Sequence, residues 1–119
     1  MILDVHTDWQ RISVKIERNK EDYSRGVTTT GEHWRLLVQR PSEELWISEE
    51  DPKQIGRVIQ RHGSGNLYAY TICYVGGLGP NVWDKEISIE AENIIDAAKV
   101  AQGIADEVGG WVVSVQQED

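Results

Sequence analysis

Residues 10–18, QRISVKIER, alternate cleanly, with Ile12, Val14 and Ile16 on one side and Arg11, Ser13, Lys15 and Glu17 on the other. A period of two predicts a half-buried strand. The polar stretch NKEDYSRGVTTTGE follows, with two glycines and no helical period, and leads into HWRLLVQR, where Trp34, Leu36 and Val38 share a face. Together they read as a hairpin with a long loop.

Pro41 ends that second strand, and SEELWISEED surrounds Leu45, Trp46 and Ile47 with five acids. The next segment carries the marks of a helix over residues 52–62. Asp51 offers an N-cap, Pro52 suits the first helical position, and Gln54 completes a capping-box-like pair. Ile55, Val58 and Ile59 form an apolar stripe, Arg57, Arg61 and His62 favour the carbonyl end, and Gly63 supplies a stop.

After the turn GSGN, the run LYAYTICYV is rich in aromatic and β-branched residues and predicts a strand. In the strand KEISIEA, Ile87, Ile89 and Ala91 alternate with Glu86, Ser88 and Glu90. Asn93 caps a second helix, with Asp96 three residues on and a stripe of Ala97, Val100, Ala101, Ile104, Ala105 and Val108. Gly109 and Gly110 stop it, and WVVSV makes a final strand. The expected fold is therefore α+β in the order ββαββαβ: a mainly antiparallel sheet of about five strands with two helices on one face, in a single domain spanning residues 1–119.

Composition narrows the class. The chain has 119 residues, enough for one core, and no stretch of 18 apolar residues that would predict a membrane span. Its start, MILDVHTDWQ, lacks the basic-then-apolar order of a secretion signal, which predicts a cytoplasmic protein. The net charge of −8 is uneven: residues 1–42 hold seven Lys or Arg against six Asp or Glu, and residues 43–119 hold five against fourteen. Such acidity repels a phosphate backbone and suits a partner with a basic surface.

The residues that carry chemistry in other proteins do not converge in this sequence. The glycines of YVGGLGPNVW lack the Lys-Ser/Thr pair of a P-loop, Pro80 removes an N–H donor, and a strand rather than a helix follows. They read as a hairpin connection, not a phosphate cradle. His6, His33 and His62 are widely separated, and only Asp4, His6 and Asp8 fall on one face of an extended segment. Cys73 is the sole cysteine and reads as a small buried side chain, so no disulfide, metal or cofactor site is expected.

The aromatic content is more suggestive. Five tryptophans and four tyrosines occur with no phenylalanine, and Trp and Tyr keep a polar handle at a partly wet surface. Trp46 among Glu43, Glu44, Glu49 and Glu50 has the make-up of an aromatic anchor with an acidic rim. Tyr68, Tyr70 and Tyr74 share a strand face with Ile72, and Trp83 stands beyond the glycine loop as the end of a binding lip. If the smaller residues of that strand meet the helices, the tyrosines stand uncovered. The expectation is a small acidic, non-enzymatic protein-binding domain, an inhibitor or immunity-type antagonist covering a basic site on a partner. The alternative is a ligand-binding or enzymatic domain that uses the tyrosine face, as a homodimer.

Overall fold

The computed structural model describes residues 2–7, 12–40, 42–59, 67–77 and 79–118. The chain divides into two compact units, Met1–Gly63 and Ser64–Asp119. The first is a closed antiparallel barrel of six strands: β1 (Ile2–Thr7), β2 (Ile12–Arg18), β3 (Arg25–Thr28), β4 (His33–Gln39), β5 (Glu43–Ser48) and β6 (Ile55–Ile59). Each strand pairs with the next, and β1 meets β6 at His6 opposite Arg57 to close the ring.

The second unit consists of β7 (Tyr68–Gly76), β8 (Trp83–Ala91), α1 (Ile94–Glu107) and β9 (Trp111–Gln117). Its sheet has the order β8-β7-β9, with both outer strands antiparallel to β7. The helix therefore carries the chain over β7, from one edge of the sheet to the other.

This architecture corrects the expected sheet with two helices on one face. One α-helix is present among the described residues, and the protein is mostly β. The segment expected as a helix over 52–62 instead enters strand β6 at Ile55. Residues 60–66, which include Arg61, His62 and the turn GSGN, lie outside the described residues. Asp51 and Pro52 mark a turn: Asp51 Oδ1 accepts from Lys53 N–H at 3.3 Å, and the Gln54 N–H donates to the Asp51 carbonyl at 2.8 Å. An Asp-Pro pair serves a turn as readily as a helix start. Gly56 then decides for the strand, because a Cβ there would lie 2.7 Å from the His6 carbonyl oxygen of β1. Only glycine lets the two strands approach at the seam.

The polar stretch expected as one long loop also resolves into order. Asn19 Oδ1 accepts the N–H groups of Glu21 and Asp22, and Asp22 Oδ1 accepts both the N–H and the hydroxyl of Ser24. That turn delivers β3, which pairs with β2 and β4. Inside the barrel, Leu3, Val5, Ile16, Trp34 and Trp46 form one buried cluster, with Val14, Leu36 and Val58 against it.

The helix follows its sequence signals closely. Asn93 accepts from the Asp96 N–H at 2.9 Å, and Ala97, Val100, Ala101, Ile104 and Ala105 are buried. Three alanines let the backbone come close to the sheet. After the helix, Gly109 takes a positive φ of 73°, and Gly110 passes the Val75 carbonyl so tightly that a Cβ would lie 1.6 Å from its oxygen.

Candidate functional site

The acids around Trp46 do not form a surface patch. Trp46 is 0% exposed and points into the barrel, and Glu43 and Glu44 are buried as well. Glu44 receives the Arg18 Nη2, the Trp46 indole N–H at 3.3 Å and the Gln39 amide at 3.4 Å. The Arg18 guanidinium also lies over the rings of Trp46 and Tyr23, with centroid distances of 5.3 and 5.7 Å. On the other face of β5, Glu43 meets Arg40 at 3.5 Å and Arg57 at 3.6 Å. A carboxylate survives burial only with such partners. These acids are internal structure.

Glu49 and Glu50 are exposed but engaged at the rim of the barrel. Glu49 lies 3.7 Å from Arg25. Glu50 accepts the His33 backbone N–H at 2.9 Å and faces His33 Nδ1 at 3.1 Å, which ties the start of β4 to the chain leaving β5. Partial desolvation works against the charged form of Glu50, but the bonds from the His33 side chain and backbone outweigh it and hold its carboxyl below the usual carboxylate range.

Of the Asp4, His6 and Asp8 grouping, Asp4 and His6 lie among the described residues. Asp8 lies outside the described residues, Asp4 is 3.6 Å from Lys15, and no group of three potential ligands occurs among the described residues. Asp4 and His6 instead line a groove of about 360 Å³ along the β1–β6 seam, with Ile2, Leu3, Val58 and Ile59.

In the second unit the larger set of β7 side chains, rather than the smaller, meets the helix. Tyr70, Ile72 and Tyr74 are buried, opposite Ile89, Ile87 and Lys85 of β8. Tyr68, at the end of the strand, is exposed. Trp83 packs edge-on against Tyr74, at 6.1 Å between ring centroids, and covers Gly76, where a Cβ would lie 2.6 Å from the indole. The glycine loop joins two antiparallel strands, with Gly77 at φ 93° and Gly79 at φ 59°. Trp83 thus closes this loop from within rather than standing at a lip.

What remains is the face of the sheet away from the helix. Register places Asp84, Glu86 and Glu90 there, opposite Val75, Cys73 and Ala69. Glu118 joins them, accepting the Ser88 hydroxyl at 2.6 Å, and the Cys73 thiol donates to Glu86 at 3.6 Å. Trp111, opposite Val75, adds an exposed aromatic ring at the same level. Lys85 is the only basic residue of the three strands, and its register partner Tyr74 belongs to the helix-covered side.

The second unit as a whole holds nine acids and two lysines, and it has no arginine or histidine. The alternation of KEISIEA already contains the charged face of β8, but Trp111 and Asp84 carry no local mark that sets them beside it. No helix among the described residues is long and apolar enough to cross a membrane. The chain matches no family model, no curated protein and no solved structure.

Proposed function

We propose that the protein is a small acidic, non-enzymatic protein-binding domain, an inhibitor or immunity-type antagonist that covers a basic site on another protein. The observation that carries this reading is the helix-free face of the second unit, where Asp84, Glu86, Glu90 and Glu118 gather beside Trp111 without a basic residue on that side of the strands. A broad acidic field steers a basic partner into contact and keeps phosphate backbones away, and an aromatic at its margin supplies an anchor. Tyr70 and Tyr74, buried under the helix, are not offered to a ligand, so the reading favours the acidic face over a tyrosine platform. It places the protein in the cytoplasm, where a lone thiol such as Cys73 stays reduced.

Affinity capture from the native host, with the wild type and with the triple charge reversal Asp84→Lys, Glu86→Lys and Glu90→Lys, tests the reading. The expected result is a basic partner released by rising salt and bound at least about tenfold more weakly by the reversed protein. Retention indifferent to both salt and charge reversal overturns it.

A further inference from the structure

The two outer strands of the three-stranded sheet are built differently. β8 carries Asp84, Lys85, Glu86 and Glu90, whereas β9, WVVSVQQ, has no charged residue and no proline. Trp111 and Val113 of β9 are 56% and 60% exposed. In the sheet order β8-β7-β9, β9 has a strand neighbour on one side only, so alternate residues turn backbone N–H and C=O groups outward. The ladder to β7 shifts register at Val113, between Ser114 and Val112, so β9 is bulged there, but it carries no guarding charge, and an edge with outward backbone groups and apolar side chains is a template for another strand. Soluble proteins guard such edges unless something pairs with them.

We infer that β9 is the contact edge of a homodimer, in which two copies of this chain pair β9 with β9 antiparallel about a two-fold axis. Self-pairing fits the charge pattern. Across most of the second unit's surface a second copy would bring acid against acid, because the unit holds nine acids and two lysines. The stretch Trp111–Gln117 is the strand where a copy meets itself without like-charge repulsion.

The other edge explains why the assembly stops at two. Joining β9 to β9 gives a six-stranded sheet bounded on both sides by β8, where adding a further β8 would set the acids of one strand beside those of the next and so disfavours further growth. The contact is isologous and closed, not fibre-forming. Trp111 and Val113 of both copies then lie along the shared seam, and the two acidic faces join on one surface.

Sedimentation velocity of the intact chain over a dilution series tests the inference, with Val113→Lys and Gln116→Lys as variants. Both sites are exposed, and circular dichroism confirms that each variant is folded. The expected result is a concentration-dependent wild-type dimer whose dissociation constant rises at least about tenfold in each variant. Should Val113→Lys not fold, Gln116→Lys carries the test. A wild-type monomer throughout the series, a dimer indifferent to the edge lysines, or open-ended assembly would each overturn it. None of these outcomes depends on a basic partner, so the dimer and the proposed function stand or fall separately.

Discussion

The barrel and the helix-backed sheet use carboxylates in opposite ways. Met1–Gly63 holds eleven acids against ten Lys or Arg, and its most buried acids, Glu43 and Glu44, are paired with Arg40, Arg57 and Arg18. Ser64–Asp119 holds nearly as many acids, nine, but only two lysines, and it displays Asp84, Glu86 and Glu118 to solvent. An acid count therefore says little about a surface until the location of the bases is known. In the barrel, charge is a packing element stacked on tryptophan, whereas in the second unit it is a field.

The sharpest way to break this comparison is to empty the barrel core. Trp46→Ala removes a fully buried ring that also holds Arg18 and Glu44 in place, and should cost about 3–5 kcal/mol in urea unfolding. A loss under about 1 kcal/mol would mean that Trp46 is a surface anchor after all.

Next in size is a matched pair of neutralised acids. Glu44→Gln strands the largely enclosed Arg18 charge and should cost about 3 kcal/mol, whereas Glu86→Gln should stay within about 0.5 kcal/mol. Equal costs in thermal unfolding would erase the distinction between internal and displayed carboxylates.

The smallest effect belongs to Glu50, whose carboxyl is held below its usual range by His33. Its contribution to stability is full above the ordinary carboxylate range and disappears as the pH falls through the lowered value. Glu50→Gln should therefore lower the melting temperature slightly near neutral pH and merge with the wild type in acid. An equal deficit at every pH would show that the carboxylate charge is not involved.

Local periodicity suffices where one element decides its own structure. Ile12–Ile16, the stripe from Ala97 to Ala105 and the Asn93 cap stand where their spacing predicts. The region from Glu43 to Ile59 was illegible for a physical reason. Every residue of β5 is buried, so it has no alternation to read, and the partner that makes Glu44 tolerable, Arg18, is 26 residues away.

Asp51-Pro52 has the look of a helix start because capping and turning use the same side-chain acceptor. Gly56 was the contrary signal, since a glycine inside a short β-branched run often marks a close strand approach. The tyrosine face could have been placed from pairing alone: Ile87 and Ile89 must face the helix, and their hairpin partners are Ile72 and Tyr70. The candidate binding face was half legible, its β8 acids showing in the alternation while Trp111 depended on the register of β9.

The placement of the tryptophans gives the chain an optical signature of its own. Trp34 and Trp46 are buried in the barrel interior, the latter beside a guanidinium and a carboxylate, while Trp111 is exposed at the edge of the sheet. With no phenylalanine in the sequence, the near-ultraviolet spectrum belongs to Trp and Tyr alone. Quencher access should thus separate the shielded Trp34 and Trp46 from the exposed Trp111, with half-buried Trp83 between them, and all can be followed without an attached dye.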